Sequence, residues 1–192
     1  ELGVGGYTDT AVVWDENFES NDVSSWTGQG TVISATPPVG TSVISPPSDK
    51  GSYAAKFEGW TNRVVQFDSS QGIVTVDFDI FLTGTSTGNS LGKEVIIGKQ
   101  DCNNVASILF NDDGTISMGT SGSWGSSPVS TCSGGVYRGT GFTYSANTWH
   151  HVALIMDLNV GALTAKLDGV DLIDPATPQD IPPAAEINRM QL

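Results

Sequence analysis

Basic side chains are scarce in this sequence. Lys and Arg together number 8 in 192 residues, against 21 Asp and Glu, which gives a formal net charge of −13. A chain so short of cations has no electrostatic grip on nucleic acid or on an anionic membrane surface, and both are excluded as partners. Long apolar runs are also missing. Nothing approaches the roughly 18 apolar residues that a membrane-spanning helix needs, so no membrane insertion is expected. Helical periodicity is absent: no amphipathic helix of three turns can be traced, only a weak turn around Pro183–Glu186. The two cysteines and the adjacent pair His150 and His151 do not make a zinc set. There is no nucleophile elbow, phosphate-cradling glycine loop or dinucleotide fingerprint.

What remains is a chain of short strands. Charged residues make up only 15% and apolar ones 38%, so the acidity does not imply disorder, and 23 Gly with 9 Pro supply many turns. Period-two patterning predicts strands at Ala11–Phe18, Gly30–Ala35, Tyr53–Glu58, Arg63–Asp68, Ile73–Leu82 and Glu94–Lys99. It continues at Ala106–Asn111, Thr115–Gly119, Val136–Tyr144, Trp149–Leu158, Leu163–Leu167 and Asn188–Leu192. Asn111-Asp112-Asp113-Gly114, between two alternating runs, predicts a hairpin, because Asp and Gly accept the positive φ of such turns. Gly84–Leu91 and Thr120–Gly135 read as long polar loops. Residues 1–11 read as an N-terminal arm and 12–192 as one domain. The expected fold is all-β, a two-sheet antiparallel sandwich or jelly roll.

Two strands show their faces. In Ile73–Leu82, Val74, Val76, Phe78, Ile80 and Leu82 share a core face, and Thr75, Asp77 and Asp79 share the open one. In Trp149–Leu158 both faces are largely apolar, which predicts a central strand with His150 turned to the core.

Cys102 and Cys132 are read either as one disulfide in an oxidising compartment or as two semi-buried thiols. Low Lys, abundant Ser, Thr and Gly, and the acidic balance favour the disulfide. It would close a loop of about 30 residues, for roughly 3–4 kcal/mol in the chain-entropy picture. The sequence opens on Glu1 with no secretion leader ahead of it, as expected of a processed chain or of a segment cut from a longer one. The expected location is secreted, extracellular or cell-surface.

Three segments together resemble the concanavalin A-like lectin/glucanase superfamily, especially laminin-G-like jelly rolls and related carbohydrate-binding modules. The first is Asn17-Phe18-Glu19-Ser20 with Ser25-Trp26. The second is Gly51-Ser52-Tyr53-Ala54-Ala55-Lys56-Phe57. The third is Asn147-Thr148-Trp149-His150-His151-Val152-Ala153, followed by Met156-Asp157-Leu158 and Leu167-Asp168-Gly169. The resemblance implies a jelly roll, and it implies a structural Ca2+ whose ligands, carried onto matching positions, are Glu19 and the Lys50 carbonyl, with Asn17 and Asp49 as extras. Such domains usually end on a strand that returns beside the first. Here the sequence stops at Asn188–Leu192, whose pattern looks like the strand before it. The expected roll is therefore one strand short, with an open edge available to a neighbouring copy or domain.

Catalysis is not expected. Asp77 and Asp79 share a face about 7 Å apart, but the Glu-x-Asp-x-x-Glu cluster that the superfamily's glucanases carry is missing, as are the pairings of jelly-roll lyases. His151 is the remaining candidate base. Sugar binding suits the sequence better, because sugars are held by aromatic platforms and planar polar groups. Trp60 and Trp124 in loops, with Arg63, Asp77, Asp79, Tyr137 and Arg138, form the candidate carbohydrate surface, and Trp149 reads equally well as core or platform. The leading expectation is a non-catalytic module binding a polysaccharide or glycan. The alternative is a structural or adhesive subunit of an extracellular filament, surface layer or fibre.

Overall fold

The structure, a computed structural model, describes residues 27–28, 41–44, 54–57, 63–82, 93–99, 104–121, 135–181 and 186–191. Every regular element among them is a strand. In chain order these are β1 (Thr27–Gly28), β2 (Thr41–Ile44), β3 (Ala54–Phe57), β4 (Arg63–Ser70), β5 (Ile73–Phe81), β6 (Lys93–Gly98) and β7 (Asn104–Phe110). Then come β8 (Thr115–Ser121), β9 (Gly135–Thr143), β10 (Trp149–Asp157), β11 (Ala162–Leu167), β12 (Val170–Asp171), β13 (Gln179–Asp180) and β14 (Ile187–Gln191). The expected strands at 11–18 and 30–35 and the arm at 1–11 lie outside the described residues. The pattern did not mark β1, β2, β12 or β13, of which all but β2 are only two residues long.

A seven-stranded sheet runs β1-β4-β14-β6-β7-β8-β9, and a five-stranded sheet runs β12-β11-β10-β5 with β13 also on β11. All pairings are antiparallel, and β2 and β3 make a separate ribbon. From the five-stranded sheet, Val74, Val76, Phe78 and Ile80 of β5, Val152, Leu154 and Met156 of β10, and Leu163, Ala165 and Leu167 of β11 point inward. They join Val65, Ile97, Ile108, Phe110, Ile116, Met118 and Met190 of the other sheet in one apolar core. This is the sandwich that the alternation predicts. β10 lies between β5 and β11, as its two apolar faces require.

The C-terminal strand is an interior one. β14 pairs with β4 on one side and β6 on the other, so neither of its edges is open. Its register shifts between Ile187 and Arg189. That irregularity lets Ile187 and Met190, three residues apart, both reach the core.

The hairpin at Asn111–Gly114 forms as expected. Gly114 N–H donates to Asn111 O at 2.9 Å, and Gly114 takes φ 85°. Asp113 Oδ1 accepts from the Thr115 N–H at 2.9 Å and from its hydroxyl at 2.6 Å. Those two bonds hold the Asp113 carboxyl below its ordinary range.

Candidate functional site

The outer face of the five-stranded sheet is built by register. β10 sets Trp149 opposite Phe81, His151 opposite Asp79 and Ala153 opposite Asp77. Because successive residues alternate in direction, Trp149, His151, Phe81, Asp79 and Asp77 all leave the core on one side. Phe81 is 39% exposed, and its ring centroid lies 5.6 Å from that of Trp149 at a tilt of 53°. Beside this aromatic pair, His151 reaches two carboxylates: Nε2 stands 2.7 Å from Asp77 Oδ1, and Nδ1 stands 3.1 Å from Asp79 Oδ1. Asp77, Asp79 and His151 side chains are 55%, 34% and 48% exposed. The result is an accessible strip about 13 Å long at four strand rises, aromatic at one end and acidic at the other.

Behind the strip, His150 faces inward and is buried. Its Nδ1 lies 2.7 Å from Asp168 Oδ2 and its Nε2 lies 2.8 Å from Ser145 O. Asp168 Oδ1 also accepts the His151 N–H at 2.8 Å, and the Asp168 N–H donates back to His151 O at 2.8 Å. Asp168 adopts φ 51°, a left-handed conformation that Asp tolerates better than most residues. The Trp-His-His…Asp-Gly pattern is therefore a scaffold: it clamps the start of β10 to the turn after β11 and fixes the direction of His151. Partial burial pushes the Asp168 carboxyl up, but the bonds from His150 and from the His151 N–H outweigh it and hold the group below its ordinary range.

Tyr137 sits elsewhere. It pairs with Gly119 in the β8–β9 ladder, on the outer face of the seven-stranded sheet, and its hydroxyl donates to Glu94 Oε1. Ser107 also bonds that hydroxyl. Burial first, then Glu94's hydrogen bond and charge, push the Tyr137 hydroxyl well above the usual tyrosine range. The ring lies on a glycine floor: a Cβ on Gly119 would stand 2.2 Å from Ser107 Oγ and 2.9 Å from Tyr137 Cε1.

The sequence-derived surface thus divides. Asp77 and Asp79 come together with His151, Trp149 and Phe81, while Tyr137 lies on the opposite side of the sandwich. Arg138, next along β9, is exposed. Arg63 opens β4 opposite Gly28. Trp60, Trp124, the calcium candidates Asn17, Glu19, Asp49 and Lys50, and the cysteines Cys102 and Cys132 lie outside the described residues. Among the described residues no group of three or more His, Cys, Asp or Glu is arranged to hold a metal ion. Phe81, Glu94 and Ser107 were missed. Alternation in β5 already placed Phe81 on the open face with Asp77 and Asp79, but no pattern links Glu94 and Ser107 to a tyrosine three strands away.

No protein-family model matches the sequence, and no curated protein is significantly similar to it. Among solved structures, the chain superposes on part of a sialidase with a TM-score of 0.61 and 13% identity, covering 93% of this chain and 14% of the sialidase. Domain 4 of an extracellular arabinanase from Geobacillus stearothermophilus, solved with arabinotriose, gives a TM-score of 0.44 at 15% identity, covering 91% of this chain and 87% of that one. A beta-glucanase catalytic domain from Podospora anserina gives 0.43 at 17%, covering 95% and 88%. The superposition on the sialidase shows a shared fold, an antiparallel β-sandwich of the jelly-roll kind.

Proposed function

We propose that this protein is a secreted or cell-surface, non-catalytic jelly-roll module that binds a glycan along Trp149, Phe81, His151, Asp79 and Asp77. One observation carries the reading: a partly exposed aromatic pair lies in line with two carboxylates and an imidazole on a single sheet face. Aromatic rings stack against the C–H faces of sugars, and carboxylates accept bonds from adjacent hydroxyls. The absence of catalysis is argued from the same residues. A two-carboxylate hydrolase needs unlike environments for its acid and its base, whereas Asp77 and Asp79 share a strand face and bond the same imidazole. A structural calcium bound by Asn17, Glu19, Asp49 and Lys50 belongs to this proposal.

Affinity electrophoresis against a polysaccharide panel tests it. Retardation by at least one polysaccharide is expected, and Trp149→Ala should abolish it while the fold, followed by circular dichroism, persists. Failure to bind any polysaccharide would sink the reading. The assembly alternative drew on a loose N-terminal arm and a missing final strand; β14 is paired on both sides, and the arm lies outside the described residues.

A further inference from the structure

The charges on the strip narrow the kind of glycan. On the outer face of β5, β10, β11 and β12 the carboxylates are Asp77, Asp79, Asp157 and Asp171, and the basic groups are His151 and Lys166. All four carboxylates have partners. Lys166 pairs with Asp171 at 3.2 Å, and Asp157 Oδ1 accepts the Asn159 N–H at 3.0 Å and the Val160 N–H at 3.4 Å. Asp77 and Asp79, both bonded to His151, are the carboxylates in line with the aromatic pair. None of these four strands carries an arginine, the side chain best suited to forking onto a carboxylate or sulfate.

His151 shows what the place between the carboxylates accepts. Each ring nitrogen faces a carboxylate oxygen, and a carboxylate only accepts. Both bonds therefore form together when the ring is a doubly protonated imidazolium, a cation with diverging N–H donors. A sugar ammonium offers the same chemistry, and it also gains from the ring faces of Phe81 and Trp149 through cation–π attraction. The net charge of −13 raises the local concentration of cationic ligands and repels polyanions.

We propose that the strip selects a glycan whose sugars bear free amino groups, with an ammonium held between the Phe81–Trp149 pair and the Asp77 and Asp79 carboxylates. The inference rests on the glycan-binding reading above and names its ligand class.

Isothermal titration at low salt tests it with four six-sugar probes: β-1,4-linked glucosamine, its fully N-acetylated counterpart, a neutral β-1,4-glucan and a polygalacturonate. A six-residue lysine peptide is the fifth probe. The free-amine oligosaccharide should bind about five- to tenfold tighter than the acetylated one, as two exposed charge contacts allow. The gap should close at high salt, and galacturonate should not bind. An Asp77→Asn/Asp79→Asn double variant, with unchanged melting temperature, should cost the free-amine probe more affinity than the acetylated one and close the gap between the two. Equal affinity for amine and acetylated sugars, or tightest binding of galacturonate, would overturn the charge selection and leave glycan binding standing. The lysine peptide binding as tightly as the amino sugar would overturn it too. Binding of no sugar at all would remove both readings.

Discussion

Asp168 carries three hydrogen bonds at one turn, and its protonation should be felt by the whole domain. Its carboxylate holds the His150 ring and the His151 N–H, while its own N–H returns to β10. Its pKa is depressed on folding, so the folded state keeps it ionised at pH values where the unfolded chain has begun to take up a proton. The stability it supplies is thus complete above the ordinary aspartate range and is lost as pH falls through the depressed folded value. Asp168→Asn is the informative substitution, because Asn also tolerates the φ of 51° and leaves the backbone unstrained. The side chain is 49% exposed, which puts the expected loss at neutral pH near the low end for a charged hydrogen bond, about 1 kcal/mol. Urea midpoints between about pH 2 and 6 should fall less steeply towards acid in Asp168→Asn than in the wild type. Parallel curves would show that Asp168 is not the group being titrated. His150, with both nitrogens against oxygen acceptors and its ring edge-on to Tyr144 at 6.2 Å, is the partner that gives the turn its leverage.

Strands β6, β7, β8 and β9 are tied across their outer face by one tyrosine, and the tie depends on a missing side chain. Gly119 lets the Tyr137 ring lie over β8 towards Ser107 and Glu94. In Gly119→Ala, the new methyl would press on Ser107 Oγ and the Tyr137 ring at distances no real Cβ contact shows. Lifting the ring breaks its bond to Glu94, and overpacking of this kind costs about 1–3 kcal/mol. Ser107→Ala in the same chain removes the closest contact and should recover part of the loss, so the two changes should be non-additive in denaturant titrations. A fully stable Gly119→Ala would show that the ring is not seated there. This is the scale at which the sequence stops being legible. Alternation along β5 and β10 separates core from open face, because a strand repeats every two residues. It placed Asp77, Asp79 and His150 as observed. Register between strands distant in sequence leaves no local trace. That is why Tyr137 was grouped with Asp77 and Asp79 though it lies across the sandwich from them, and why the last strand's insertion between β4 and β6 was unreadable from Asn188–Leu192. Trp149 was undecided for a related reason: both faces of β10 are apolar, so parity alone could not separate platform from core.

At the scale of the whole molecule, the charge of −13 makes two different responses to calcium look alike. Any divalent ion screens the self-repulsion of an acidic domain and raises its stability somewhat. A built site does more: a ligand that binds only the folded state at about 100 times its dissociation constant adds about 2.7 kcal/mol. For a domain of this size that is worth roughly 5–10 °C in Tm. Magnesium separates the two, since it demands tight octahedral geometry and keeps its waters, whereas calcium accepts six to eight oxygens including carbonyls. With a site on Glu19, Asp49, Asn17 and the Lys50 carbonyl, calcium should raise Tm by that larger margin, and magnesium or sodium chloride at matched ionic strength by a degree or two, a screening effect of about half a kcal/mol. EDTA should reverse the calcium increment. Glu19→Gln should keep the shared screening response and lose only the calcium-specific part. Scanning calorimetry of the two proteins in the three salts is the measurement. Equal shifts with calcium and magnesium, or none on adding EDTA, would reduce the acidity to solvation and remove calcium from the proposal.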